Sequence, residues 1–423
     1  MRLATLLNLA FRSLLNRRVT GALTLMAVAL SVALFTGVEK VRQGARASFE
    51  RTVSGADLIV GARSGPINLL LYSIFRVGDA TANMTWRSYE EIASDPRVAW
   101  TIPLSLGDAH KGYRVVGTDE NLFEHYRFGE DQTLTFASGE PFRDLFDVVL
   151  GAEVARNLGY RIGDDIVLSH GLGEVSFADH DNKPFKVVGI LEATGTPIDR
   201  SLNVSLPAIE AIHVGWETGA KTPLATIMTA DRVRSLDLKP DELTAMIVGL
   251  KSRGTVLKMQ RDLNTYREEP LLAVIPGIAL SQLWETVGIA ERLLSAVSAC
   301  VIAVGLVVIL VSILTTLNER RREMAILRSV GAAPGDIFFL LVLEAAVIAF
   351  LGALLGLLVL YAGLMGLAPL IQARAGVSLV GLGPGVFDLV VLVTLMGLAS
   401  FMAMFPAWRA FRNALADGLT VRV

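Results

Sequence analysis

The sequence predicts an α-helical membrane protein with four transmembrane helices and an α+β extracytoplasmic domain. Three observations carry that fold class. Of 423 residues, 52% are hydrophobic and only 19% charged, with a mean hydropathy of +0.51, whereas a soluble domain carries roughly 25% charged residues. The apolar surplus is gathered into four long stretches instead of being spread along the chain. Between the first and second of these lies a long segment of different character, with short β-rich runs and turn residues.

A membrane helix needs about 20 mostly apolar residues. The first span is 19–38, between Arg18 and Glu39. The second is 291–318, uncharged from Arg292 to Glu319. The third is 337–370, with Glu344 as its one charge, and the fourth is 387–408, uncharged from Asp388 to Arg409. Lys and Arg in the short flanks set orientation. Arg2, Arg12, Arg17 and Arg18 precede the first span, Arg320, Arg321, Arg322 and Arg328 follow the second, and Arg409, Arg412 and Arg422 follow the fourth. With four spans, all three clusters fall on one side. Residues 1–18, the loop 319–336 and the tail 409–423 are therefore expected in the cytoplasm. Residues 39–290 and the short loop 371–386 are expected outside. The first apolar run exceeds a signal-peptide core and no A-x-A site follows it promptly, so it reads as an uncleaved anchor.

Residues 39–290 alternate strand-like and helical runs. Asp57-Leu-Ile-Val60, Tyr113-Arg-Val-Val116, Asp147-Val-Val-Leu150, Asp165-Ile-Val-Leu168 and Phe185-Lys-Val-Val-Gly-Ile190 read as strands, and 151–158 and 206–213 as helices. Gly163-Asp-Asp165 reads as a tight turn feeding a strand. Glu39 to Arg51 has no helix breaker, so it should extend the first helix outward as a stalk, and Gln282 to Arg292 should lead into the second span. The apolar run Ile67-Asn-Leu-Leu-Leu-Tyr-Ser-Ile-Phe75 is either core or an exposed contact patch.

Several function classes drop out. The net charge is −2, which offers no global field for nucleic acid. The single cysteine, Cys300, excludes an intrachain disulfide and a Cys-based zinc site. No Ser-His-Asp set or intramembrane acid pair is visible, so a non-catalytic subunit is expected. Ionisable groups at membrane depth are costly, and Glu344 lies near the cytoplasmic end of its span, within reach of the interface or a neighbouring helix. Gly352-x-x-x-Gly356 permits close helix contact, either between subunits or in ordinary packing.

The most specific segment is Asn318-Glu-Arg-Arg-Arg-Glu-Met-Ala-Ile-Leu-Arg-Ser-Val-Gly-Ala-Ala-Pro-Gly-Asp336. Glu319 to Val330 is amphipathic, with Met324, Ile326, Leu327 and Val330 as its apolar residues. Gly331 is placed to end the helix, and Pro334 and Gly335 to turn the chain before the third span. A solvated basic loop would account for the arginines but not for the apolar stripe.

This segment resembles the coupling region of the MacB/LolC/FtsX superfamily of ABC permeases, the mechanotransmission or type VII class. The resemblance continues in Val148-Val-Leu-Gly-Ala-Glu-Val-Ala-Arg-Asn-Leu-Gly159, Gly163-Asp-Asp-Ile-Val-Leu168, Phe185-Lys-Val-Val-Gly-Ile-Leu191 and Asn203-Val-Ser-Leu-Pro207, which are similar to the family's periplasmic core. Phe405-Pro-Ala-Trp-Arg-Ala-Phe-Arg412 is similar to its closing motif.

The resemblance implies a MacB-like periplasmic core domain and a multi-pass protein of the bacterial inner membrane with both termini cytoplasmic. It implies two copies of an ABC ATPase subunit as partners, a second permease copy or paralogue, and room for a periplasmic or outer-membrane partner. No Gly-x-x-x-x-Gly-Lys-Ser/Thr phosphate loop occurs, so ATP and Mg are expected on a separate ATPase polypeptide. By carry-over, Glu319, Arg320, Arg321, Arg322, Glu323, Arg328 and Gly331 are the candidate ATPase-coupling residues, and Gly352 and Gly356 the candidate helix interface.

The substrate stays open at this level: a lipoprotein, a peptide or an amphiphile. One alternative is a regulatory subunit that activates a periplasmic enzyme. Another is a metal-responsive branch of the family, which Gly55-Ala-Asp-Leu-Ile-Val-Gly-Ala-Arg-Ser-Gly-Pro66 resembles. That branch is His-rich where this chain keeps only His170, His180 and Asp181. These, with His110, His125 and His213, read as ordinary surface groups, and no metal ligand set is expected.

Overall fold

The computed structural model describes residues 18–52, 54–129, 131–170, 183–215, 228–319, 321–375 and 383–416. They form two compact units, one built on four long apolar helices and the other on most of residues 45–287.

The long helices are Arg18–Thr52, Pro276–Glu319, Pro334–Ala375 and Val386–Ala416. Each contains a stretch long and apolar enough to cross a membrane. In hydrocarbon a backbone can satisfy its polar groups only within its own helix. The hydroxyls of Thr24, Ser31 and Ser400 accordingly donate to the carbonyls of Thr20, Ala27 and Met396, one turn back. On the first helix Val19, Leu23, Met26, Leu30 and Leu34 face outward at spacings of three and four. Thr24, Val28, Ser31 and Val32 face inward instead. The third and fourth helices present small residues every fourth position, Ala345, Ala349 and Ala353 on one and Ala399, Ala403 and Ala407 on the other, all in the buried bundle core. Small side chains let helix backbones approach closely where lipid supplies no hydrophobic contrast.

Gly352 and Gly356 serve this close approach within the chain. A methyl group added to Gly352 would stand 2.6 Å from Val28 Cγ1, and one on Gly356 would stand 2.4 Å from the Ala29 carbonyl oxygen. The first membrane helix therefore occupies the face that the small-residue motif opens.

The second unit is organised by one mixed sheet. Its strands are β1 (Leu58–Ala62), β2 (Val98–His110), β3 (Tyr113–Thr118), β4 (Phe136–Gly139), β5 (Asp147–Leu150), β6 (Asp165–Ile166), β7 (Ser169–His170), β8 (Phe185–Leu191), β9 (Ser201–Ser205), β10 (Ala245–Leu250) and β11 (Leu271–Val274). The order across the sheet is β11-β1-β10-β2-β3-β9-β5-β8-β4, with β7 on β2 and β6 on β8. Pairs β3/β9 and β5/β8 are parallel, and the other pairs are antiparallel.

The strands read as continuous apolar runs because both sheet faces are covered. Ile59, Val116, Val149 and Ile247 face one core, while Leu58, Val60, Val115, Val148, Met246 and Val248 face two others behind the sheet. The stretch 67–75 resolves as core: the helix Pro66–Ser73 buries Leu69, Leu70 and Tyr72, and Ile74 and Phe75 follow them inward. The run 165–168 is shorter as a strand than its composition suggests, since only Asp165 and Ile166 pair, against Lys186 and Phe185. Gly163, at φ +95°, makes the turn that precedes it.

Both stalk helices end in this unit's core. Phe49 of the first lies 5.6 Å from Trp284 of the second, edge to face, and 4.5 Å from Phe75, measured between ring centroids. Buried aromatic pairs add about 0.5–1.5 kcal/mol to the area they cover.

Gly356→Leu should overpack the contact with Ala29 and cost about 1–3 kcal/mol. The expected reading is a lowered thermal midpoint of the purified chain in detergent, while Leu355→Ala, on the exposed side of the same turn, leaves the midpoint unchanged.

Candidate coupling segment and membrane charge network

The second membrane helix ends at Glu319, and a short helix, Arg321–Ser329, follows at once. Arg320 lies outside the described residues, while Arg321, Arg322 and Glu323 form the first turn. The helix stops where Gly331 takes φ +98°, a conformation open to glycine at little cost. The Ala332 N–H then reaches the Leu327 carbonyl at 3.0 Å and the Gly331 N–H reaches the Arg328 carbonyl at 3.0 Å. This is a Schellman closure. Arg328 sits in the last turn, where a cation complements the helix dipole.

Pro334 and Gly335 do not form a turn before the third span, contrary to the sequence expectation. They are the first residues of the third membrane helix. Proline is pre-set for a first helical position because its missing N–H would have no partner there. Asp336 completes the start by accepting from the Ala333 N–H at 2.9 Å, one half of a capping box. The helix-to-helix connection is therefore short and capped on both sides.

The apolar residues of the short helix divide into two sets. Met324 packs on the membrane bundle core. Ile326 is 56% exposed and Val330 83% exposed. One side of the segment is seated on its own bundle while another offers aliphatic surface.

A second constellation sits among the membrane helices. Lys40 Nζ of the first helix lies 3.3 Å from Asp388 Oδ2 of the fourth, with the two side chains only 7% and 6% exposed. The Tyr361 hydroxyl of the third helix donates to the same oxygen at 2.6 Å, and the Gly385 N–H does so at 2.7 Å. Lys40 also donates to the Gly383 carbonyl at 3.0 Å. Three helices thus meet on one carboxylate. In the sequence Asp388 reads as a span boundary and Lys40 as part of the stalk, and their only local signal is an acidic residue at the start of the fourth span and a basic one just past the end of the first. Glu344 is buried among the bundle helices.

In the outer unit the histidines are better fixed than a surface reading expects. His110 is buried, with Nδ1 2.7 Å from the Val167 carbonyl and Nε2 2.8 Å from the Tyr160 hydroxyl. Burial holds its pKa below the ordinary imidazole value. His213 lies 3.6 Å from the buried Asp108, and His125 stacks on Trp100. The backbone of His170 belongs to β7, while His180 and Asp181 lie outside the described residues. Among the described residues no three His, Cys, Asp or Glu side chains converge on a metal-sized site.

Comparison with known proteins decides the family. A family model described as the MacB-like periplasmic core domain matches residues 22–265, and one described as the FtsX-like permease C-terminal matches residues 295–415. The chain belongs to the MacB/LolC/FtsX family of ABC permeases. It is similar to the lipoprotein-releasing system transmembrane protein LolC of Xylella fastidiosa, 26% identical over 360 residues, covering 77% of this chain and 78% of that protein. It is also similar to the macrolide export ATP-binding/permease protein MacB of Hyphomonas neptunium, 22% identical over 97% of this chain but 57% of that protein. The chain thus spans a little over half of that MacB. Among solved structures, the extracellular domain of the noncanonic ABC-type transporter YknZ from Gram-positive bacteria aligns with a TM-score of 0.30 and 11% identity, over 51% of this chain and 98% of that domain. As a member of this family, the protein is a bacterial inner-membrane permease.

In this permease the Lys40–Asp388 pair gives a sharp expectation. Removing one partner of a buried ion pair costs about 3–5 kcal/mol, because the other charge is left uncompensated. Asp388→Asn should lower the detergent-purified chain's thermal midpoint markedly, and adding Lys40→Met should recover much of the loss. Equal damage from the single and double variants would show that the two residues act independently.

Proposed function

We propose that this chain is the transmembrane subunit of an ABC transporter whose ATP hydrolysis is performed by separate ATPase subunits, and that it passes their motion to its outer domain to release or export a lipoprotein, peptide or amphiphilic substrate. The observation that carries this reading is the short helix Arg321–Ser329, seated through Met324 while Ile326 and Val330 stay exposed. A helix used only as a loop filler has no reason to hold aliphatic residues in solvent.

The charge pattern supports a protein partner there. Arg321 and Arg322 stand in the first turn, where the helix dipole disfavours cations. A carboxylate on a docking surface relieves that conflict and pairs with arginine in a bidentate manner. ATP and Mg then act at the partner's site, and this chain contributes the contact and the lever. The helices Arg18–Thr52 and Pro276–Glu319 supply the lever, since each continues well past the length a bilayer needs. The similarity to a LolC across most of both chains favours a lipid-modified cargo within this reading.

The test is copurification of the tagged chain in mild detergent with its ATPase, followed by an ATPase assay. Reversing the charges, Arg321→Glu with Arg322→Glu, should abolish ATPase recovery while the outer domain keeps its circular dichroism and protease resistance. Ile326→Asp with Val330→Asp should do the same. Full recovery and normal turnover in both pairs would overturn the assignment of this helix as the coupling element.

A further inference from the structure

The outer unit contains a groove of about 830 Å³ that the coupling reading does not use. It lies at the carboxyl ends of two adjacent parallel strands, β3 and β9, which pair in register from Ser201↔Arg114 to Ser205↔Thr118. In sheets with parallel strands, this end is where loops diverge and ligands settle. The volume falls within the roughly 300–1,000 Å³ of small-molecule sites.

The walls are apolar, with Trp86, Phe142, Leu206 and Leu238 among the lining residues. The charges are uneven once existing pairs are counted. Arg143 is paired with Glu140 at 2.7 Å, Arg234 with Asp144 at 2.7 Å, and Lys239 with Glu90 at 2.8 Å. The lining carboxylates of Asp119, Glu120 and Asp237 have no cation within ion-pair distance among the described residues. Asp119 is held in place by Asn121, whose backbone N–H and side-chain amide donate to its two oxygens at 3.1 and 3.0 Å. Burial pushes its carboxyl up to about 7. A cation beside it would favour the ionised form.

Thr118 adds an independent sign. It lines the groove, is 1% exposed, and its hydroxyl has no hydrogen-bond partner among the described residues. Buried polar atoms rarely stay unpaired in a finished structure, and a bound ligand or water would satisfy this one.

We infer that this groove binds a small molecule carrying a protonated amine on an apolar body. The amine meets Asp119, Glu120 and Asp237, and the apolar body lies against Trp86 and its neighbours. This goes beyond the coupling proposal and does not depend on it, because binding requires neither ATP nor an ATPase.

The test uses the full chain in lipid nanodiscs, with octylamine as probe, octanol as its uncharged counterpart and empty nanodiscs as the blank, read by titration calorimetry. Octylamine should bind saturably at one site per chain above the blank, and octanol about tenfold more weakly or less, the loss expected when a charge-assisted hydrogen bond is missing. Glu120→Gln with Asp237→Asn, both exposed positions, should weaken octylamine similarly without disturbing the fold, and adding Asp119→Asn should abolish saturation. Glu268→Gln, an exposed acid outside the lining, should leave binding unchanged. The proposal is overturned by binding that never saturates above the blank, by equal affinity for octanol, or by unchanged affinity in the double variant.

Discussion

A helix in hydrocarbon must carry all its own backbone hydrogen bonds, and it has no reason to stop where the lipid stops if the sequence beyond contains no breaker. That constraint shapes this permease. At 1.5 Å per residue, a helix of 20 residues already spans the roughly 30 Å apolar layer. The first membrane helix has 35 residues and the second 44. The surplus of each carries helical backbone into the outer unit, where Phe49 and Trp284 meet in one hydrophobic core. The chain enters and leaves its outer domain as continuous helix, Arg18–Thr52 on one side and Pro276–Glu319 on the other.

The bundle itself is built to pack. Ala and Gly at four-residue spacing bring backbones together, and the hydroxyls of Thr24, Ser31 and Ser400 return to their own helices. A pathway for polar solutes would need such groups turned toward a shared lumen. Lys40 and Asp388 neutralise one another and are joined by Tyr361. That network fixes three helices against one another at low cost only while it is complete, which makes it a point of registration for the bundle.

The spans, the stalk helices and the helix terminated by Gly331 were legible in the sequence because each rests on a local signal: an apolar run, the absence of a breaker, a glycine after an amphipathic turn. The misreadings have the opposite character. Pro334 reads as a turn residue in the sequence, since proline breaks helices from within and starts them from the first position, and only the capping contact of Asp336 with Ala333 tells the two apart. His110 reads as a surface group in the sequence because its partners, Val167 and Tyr160, lie 50 or more residues away. Lys40 and Asp388 are separated by most of the chain. The groove beside Thr118 escapes for the same reason: its walls come from six separate stretches, and no spacing rule links them.

The coupling segment shows how local and long-range requirements combine. Its Schellman closure, the proline at the head of the next helix and the Asp336 cap leave the connection little conformational freedom. Met324 fixes the short helix on the bundle, so Ile326 and Val330 are presented by a constrained element. A partner that docks on them loses little binding energy to ordering a loop. In the proposed role the same rigidity would make the contact mechanically useful. A flexible loop would absorb a push, whereas a capped helix joined directly to the second and third membrane helices would pass it on.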